Sequence, residues 1–139
     1  MESSIQVGVN GPSVWVRVAG RGSFLNSGSL KEFAREMVNR GFREFVFDLQ
    51  DCVMMDSTFM GTMAGMALRL KELGQGRLHV IHCGRRSREL LSGLGLAQIF
   101  DLQAEGAEAP ECADLTTVNG GVPGKAEAAK REQAGTMRE

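Results

Sequence analysis

The sequence predicts an α/β fold with a mixed, mostly parallel β-sheet of about five strands. Two observations carry this prediction. Short apolar runs alternate with longer segments of helical periodicity, and the first two strand signals are separated only by a turn. The resulting order is β-β-α-β-α-β-α-β, and strands that alternate with helices form parallel sheets through right-handed crossovers. The length of 139 residues fits one domain, and a hydrophobic content of 42% can supply its core.

The first two strands are predicted to form a hairpin. Residues 5–9 alternate weakly between apolar and polar side chains, and residues 14–18 alternate strongly. The Asn-Gly-Pro segment at 10–12 has the composition of a turn. Glycines and an asparagine over residues 20–28 then predict a loop.

Three helices are predicted from apolar side chains that recur every three or four residues. The first covers residues 30–39, with Ser27 or Ser29 as its cap. The second covers residues 58–73, and the third covers residues 87–94. Each lies between two predicted strands, as parallel crossovers require.

Two glycines interrupt the second predicted helix. Gly61 and Gly65 each lower helix stability by about 1 kcal/mol relative to alanine. At a spacing of four residues they lie on one face of the helix. The backbone can approach another element closely on that face.

Three further strands are predicted at residues 42–49, 77–83 and 99–102. The first is the apolar run FREFVFDL, which is typical of a buried strand, and the second, RLHVIHC, has alternating character. One more helix is possible at residues 108–119.

The C-terminal end differs in composition from the rest of the chain. From residue 120 onward there are almost no large apolar side chains. Such a segment cannot bury enough apolar surface to offset the entropy of ordering it. We therefore expect residues 1–119 to form the domain and residues 120–139 to be a disordered tail.

Composition and charge disfavour several classes of function. The net charge is −1, from 16 basic and 17 acidic side chains, which gives no support for binding to nucleic acid or to an anionic membrane. Aromatic residues make up 6% and tyrosine is absent, so base stacking is also disfavoured. No apolar stretch is long enough to span a bilayer, and the N-terminus lacks signal-peptide features. We expect a cytoplasmic protein with no membrane or nucleic-acid partner.

Metal and cofactor patterns are missing from the sequence. Cys52, Cys83 and Cys112 include no CxxC pair, which disfavours a disulfide framework or a zinc site. His79 and His82 are three residues apart, so on a strand they face opposite sides, and neither has a patterned partner acid. No Walker A or dinucleotide fingerprint occurs, and we expect no cofactor and no metal.

Ser57 is the main candidate functional residue. It follows Asp56 directly, where the second helix should begin. A hydroxyl at a helix N-terminus is accessible, and backbone N–H groups there can hold a phosphate. Taken alone, an Asp-Ser pair before a helix most often supplies only a helix N-cap. A hydrolase is disfavoured because Ser57 lies in no Gly-x-Ser-x-Gly motif and no triad pattern accompanies it.

Three segments, together with the order of elements, resemble the STAS domain of anti-sigma factor antagonists. They are FDLQDCVMMDSTFMG at 47–61, LHVIHCG at 78–84, and the hairpin strand at 14–20 taken with LLSGLGLAQIFDL at 90–102. The resemblance covers about residues 5–102. It implies the STAS fold, with an opening hairpin and helices packed mainly on one face of the sheet.

This resemblance also implies a function. Ser57 aligns with the serine that a partner kinase phosphorylates, and Thr58 offers a second hydroxyl. The unphosphorylated form would bind an anti-sigma factor that is also a serine-protein kinase, and so release the sigma factor. Phosphorylation would stop this binding, and a PP2C-type phosphatase would restore it. The partner-binding residues implied are Asp56, Ser57, Thr58, Phe59, Met60 and Ser23.

Two segments depart from the usual pattern of this family. Phe59-Met60 replaces Gly-Leu, which predicts a larger side chain on the surface that a kinase would contact. The loop at 20–23 lacks the acidic residue that the family often carries there.

Two alternatives to the switch stay open at this point. One is a STAS scaffold or adaptor in a stress-sensing or lipid-transport complex, in which Ser57 is only a cap. The other is a small hydrolase or sulfur-transfer enzyme that uses Ser57 or Cys83. We expect a regulatory binding module and not an enzyme.

Overall fold

The computed structural model of the chain describes residues 3–74, 76–96, 98–103 and 115–118. Within them the chain forms seven strands and three helices. In chain order these are β1 (Ser4–Asn10), β2 (Ser13–Gly22), α1 (Phe24–Asn39), β3 (Glu44–Asp48), β4 (Cys52–Met55), α2 (Ser57–Glu72), β5 (Arg77–Ile81), α3 (Arg85–Gly93), β6 (Asp101–Leu102) and β7 (Thr116–Val118).

The strands form one mixed sheet in the order β6-β5-β3-β2-β1-β7, and β4 pairs with β2 beside this path. β1 and β2 are the antiparallel hairpin, and β7 lies antiparallel to β1. β2, β3, β5 and β6 are parallel neighbours, as are β2 and β4. The predicted α/β class, the opening hairpin and the mostly parallel sheet are confirmed, with β4 and β7 as two strands beyond the predicted five.

β4 lies between the predicted strand at 42–49 and the predicted helix at 58–73, where the sequence predicts no strand. β2 continues to Gly22, well past the predicted end at residue 18, and its last three residues pair with β4. The register shifts between Gly20 and Arg21, and Gly20 has a φ of 79° that favours glycine. Gly20 and Gly22, which suggest a loop, therefore belong to an irregular strand end, whereas Gly28 lies in α1.

β7 falls within the stretch where the sequence allows one more helix. Residues 116–118 are a short strand, so the helix is wrong for that part. The remainder of 108–119 lies outside the described residues, as does the predicted tail at 120–139.

α1 begins six residues earlier than predicted, because Ser23 is its N-cap. The Ser23 hydroxyl accepts the N–H of Leu25 at 3.2 Å, and the Asn26 side chain accepts the N–H of Ser23 at 2.9 Å. These reciprocal bonds form a capping box. Ser27, which the sequence suggests as a cap, is instead buried inside the helix.

All three helices pack against one face of the sheet, which confirms the predicted layering. Alternate strand residues such as Val16, Phe45 and Phe47 point into this layer, as a period of two requires. The helices contribute Leu30, Phe33, Met37, Phe59, Met63, Leu70 and Leu91. A smaller apolar cluster lies on the opposite face and consists of Trp15, Val46 and Ile81, with Leu115 packed against it.

Candidate functional site

Asp56 joins the N-termini of two helices. Its Oδ1 atom accepts the N–H of Phe59 in α2 at 2.8 Å, and its Oδ2 atom accepts the N–H of Phe24 in α1 at 3.0 Å. The Asp56 N–H donates to the carbonyl of Gly22 at 2.9 Å. The first N–H groups of a helix have no partner inside the helix and lie at the positive end of its dipole. One carboxylate therefore satisfies and stabilises both helix ends.

Ser57 is the first residue of α2 and not its cap, which corrects the sequence prediction. The N-cap is Asp56. Ser57 is exposed, and within the described part of the chain its hydroxyl makes no hydrogen bond. Thr58 follows it and is exposed as well. Because the carboxylate of Asp56 caps the helix, the Ser57 hydroxyl stays available for other chemistry.

Phe59 and Met60 lie beneath the site and not on its surface. Phe59 is 0% exposed and Met60 is buried. The Phe59 ring packs so closely on Gly22 that a Cβ at this glycine would lie 2.6 Å from its Cδ2 atom. The expectation that Phe59 enlarges the surface seen by a kinase is therefore wrong. Both side chains are on the core face because helical periodicity turns these positions inward.

Four exposed apolar side chains flank the two helix ends. Phe24 and Leu25 open α1 and are 66% and 76% exposed, and Val53 and Met54 on β4 are also exposed. The first pair adjoins the N–H that Asp56 accepts, and the second pair leads directly into Asp56. Exposed apolar patches of this kind mark interaction sites.

We call the following set the Ser57 surface: Phe24, Leu25, Val53, Met54, Ser57 and Thr58. Sequence reasoning missed its four apolar members. Each pair stands near a helix start and outside any periodic core pattern, Phe24-Leu25 at the start of α1 and Val53-Met54 shortly before α2. That position was the available signal that these side chains are exposed. Ser23 lies at the same junction, half-buried, and its hydroxyl is engaged in capping α1.

Both histidines contact carboxylates, although the sequence shows no patterned partner acid. His79 Nε2 lies 2.7 Å from Glu44 Oε1, and its Nδ1 lies 2.9 Å from Asp101 Oδ2. His82 Nδ1 lies 2.9 Å from Asp48 Oδ1. The partners are 22 to 35 residues apart in sequence, so no local pattern predicts these pairs. Neither histidine contacts a hydroxyl that it could activate as a base within the described residues.

Asp48 is the centre of a charged network that joins the middle of β2 to the ends of β3 and β5. Its side chain is 1% exposed, and its Oδ2 atom lies 3.2 Å from Nη2 of Arg17. Its Oδ1 atom accepts the N–H of Gln50 at 3.0 Å in addition to its contact with His82. His82 has a φ of 53°, so it has left the extended conformation and β5 ends two residues before the predicted end. The network therefore holds β2, β3 and β5 together.

The two described cysteines have the environment of core residues. Burial raises the pKa of the Cys52 thiol and that of the Cys83 thiol. A nucleophilic cysteine needs a lowered pKa, because the thiolate is the reactive form. These environments give no support to a sulfur-transfer site at Cys83. Cys112 lies outside the described residues.

Residues 3–74, 76–96, 98–103 and 115–118 contain neither a candidate metal site nor a helix that could span a membrane. No group of three His, Cys, Asp or Glu side chains lies close enough there to hold a metal ion. None of the helices in those ranges combines the length and the apolar character that crossing a bilayer requires.

Comparison of folds finds similar structures among regulatory proteins. A putative anti-sigma factor antagonist from Thermotoga maritima has a TM-score of 0.64 and 16% identity over 69% of this chain and 82% of that chain. An anti-sigma factor antagonist from Mycobacterium paratuberculosis has a TM-score of 0.61 and 18% identity over 73% and 85%. The phosphorylated form of the Bacillus cell fate determinant SpoIIAA has a TM-score of 0.60 and 17% identity over 73% and 92%. At these identities the similarity establishes the fold.

Sequence comparison identifies the family. No curated protein sequence matches the chain. The family model described as STAS domain matches residues 4–109, which is most of the chain and includes the Ser57 surface. The fold with its hairpin, its parallel strands and its helices on one face agrees with that match. The chain belongs to the STAS domain family.

Proposed function

We propose that this protein is an anti-sigma factor antagonist whose Ser57 surface binds an anti-sigma factor and thereby releases a sigma factor. One observation carries the proposal. Asp56 caps α2, so the exposed Ser57 hydroxyl has no structural task within the described residues and can accept a phosphate. One of the similar structures is the phosphorylated form of SpoIIAA, which supports a phosphorylated state in a protein of this fold.

The chemistry of the Ser57 surface supports both binding by the unphosphorylated form and loss of binding on phosphorylation. Unphosphorylated, the surface offers a neutral hydroxyl among Phe24, Leu25, Val53 and Met54, which a partner can bury. A phosphate on Ser57 adds about −1.5 to −2 charges. In the free protein the N-terminus of α2 accommodates this group. In a complex the phosphate must lose water beside the Asp56 carboxylate, and a penalty of about 3 kcal/mol lowers affinity about a hundredfold.

The full cycle needs two further activities. The proposed partner is an anti-sigma factor that is also a serine-protein kinase, so that one protein both binds and modifies Ser57. A PP2C-type phosphatase then removes the phosphate and returns the antagonist to its binding form. Thr58 is the second possible acceptor. The proposed role is regulation of transcription in the bacterial cytoplasm, by binding and not by catalysis.

The test compares two variants of one residue. Ser57→Asp is expected to weaken binding to the anti-sigma factor about a hundredfold, because it places a carboxylate on the surface. Ser57→Ala is expected to keep the affinity for the anti-sigma factor close to that of the wild type. The measurement is isothermal titration calorimetry, with Ser92→Asp on the exposed part of α3 as the matched charge control. Equal affinities for the two Ser57 variants would contradict the switch.

Mass spectrometry separates the switch from a scaffold that binds through the same apolar surface. After incubation with the kinase and ATP, the wild type is expected to gain one phosphate and Ser57→Ala to gain none. Phosphate on Ser57→Ala would instead assign the modification to Thr58 or another site. An unmodified wild type that still binds its partner would favour the scaffold or adaptor.

A further inference from the structure

A groove of about 430 Å³ lies between α1 and α2. It extends along α2 from Thr58 to Leu70, which is about 18 Å of helix at 1.5 Å per residue. The deepest side chains along it are apolar and include Ala34, Met66 and Leu70, all of them buried. The volume is within the range of pockets that hold one small molecule.

Gly61 and Gly65 keep this groove open. A Cβ added at either glycine would meet no atom within 4 Å. The close approach of another element that the sequence suggests here is therefore wrong for the described residues. Each glycine lowers helix stability by about 1 kcal/mol relative to alanine, and packing inside the protein gives no reason for either. Their effect is to leave the space between the two helices empty.

Three cations line the groove, and its lining includes no carboxylate. Lys31 and Arg35 project from α1, and Arg69 projects from α2. Within the described residues Lys31 and Arg35 have no ion pair, and Arg69 has a long contact of 3.9 Å to the exposed Glu72. An exposed pair of that kind contributes little. All three cations can therefore turn toward an anion.

We propose that this groove binds the anion of a free fatty acid. The apolar floor, about 18 Å long, suits one extended hydrocarbon chain, and the neighbouring cations complement a single carboxylate. A groove of this volume is small for a protein helix, which buries its side chains over a much wider surface. The inference does not depend on the proposed partner of the Ser57 surface.

Calorimetric titration with sodium dodecanoate below its critical micelle concentration tests the proposal. The wild type is expected to bind one molecule saturably. Gly65→Leu fills the groove and is expected to weaken binding at least tenfold. Gly28→Leu is the matched control, because Gly28 lies in α1, has open space around it and does not line the groove. Gly65→Ala, a smaller change, is expected to weaken binding severalfold without disturbing the helix.

A separate measurement tests whether the cations of the groove are needed for binding. Lys31→Glu with Arg35→Glu is expected to weaken dodecanoate binding at least tenfold, whereas Arg86→Glu on α3, outside the groove, leaves it unchanged. Dodecyltrimethylammonium, with the same chain and the opposite charge, is expected not to bind the wild type.

Three results would overturn the proposal. One is equal binding of dodecanoate by wild type and both Gly65 variants, and another is equal binding of the cationic surfactant. The third is binding to phosphatidylglycerol vesicles without binding to dodecanoate, which would indicate a membrane surface.

Discussion

Asp56 shows how one side chain can determine two local structures. A carboxylate has two oxygens, and here each oxygen accepts an N–H from a different helix. Asp56 thereby caps α2 and accepts one further N–H of α1, whose own N-cap is Ser23, and this brings both helix starts beside Ser57. The same arrangement relieves Ser57 of capping, which leaves its exposed hydroxyl available for the proposed phosphorylation.

Asp56→Ala is expected to lower the free energy of unfolding by about 2 kcal/mol, since α2 loses an N-cap worth about 1 kcal/mol and the Phe24 N–H of α1 loses an acceptor worth about as much. Asp56→Asn keeps one acceptor oxygen and is expected to lose about half of that. Urea denaturation monitored by circular dichroism measures both, with the exposed Asp51→Ala as the control. An asparagine variant as stable as the wild type would show that the bond to the second helix contributes nothing.

The end of β2 is the element that most shapes the site. It pairs with β4, receives the N–H of Asp56 at Gly22 and supports the Phe59 ring. Periodicity predicted the regular part of this strand, the central helices and the core strands. It missed the end because Gly20 stands at a register shift against β4 and Gly22 contacts the Phe59 ring. Both partners are distant in sequence, so no local pattern predicts them.

Gly22→Ala is expected to destabilise the fold by about 1–3 kcal/mol, because its Cβ would overlap the Phe59 ring. In the double variant with Phe59→Leu the two effects are expected to be less than additive, since the smaller side chain relieves the overlap. Denaturant midpoints for the four proteins measure this coupling. Strict additivity would mean that the contact has no energetic role.

At the scale of the whole molecule, the sheet brings together residues far apart in sequence. The exposed position of Ser57 at the start of α2 was predictable because the Asp56–Ser57 pair is local in sequence. The contacts of Asp48 and of both histidines were not, because they depend on strand order and register. The family resemblance predicted the sheet and the layering, whereas the groove depends on how two helices pack.

Asp48→Ala is expected to lower stability by about 2–3 kcal/mol, because Arg17 and His82 lose a buried carboxylate while remaining partly shielded from water. Thermal and urea unfolding measure the loss. Glu72→Ala, which removes an exposed and long ion pair, is the control and is expected to change stability by less than about 0.5 kcal/mol. A loss no larger than that of the control would mean that the network is not stabilising.

The shared carboxylate at Asp56 also makes two first turns one cooperative unit. Breaking either hydrogen bond loosens the residue that holds the other, so α1 and α2 are expected to fray together. Under the proposed function, a kinase that pulls Ser57 into its active site would work against two helices at once. The rate of modification would then depend on a rare, joint opening of the protein as well as on the affinity of the kinase.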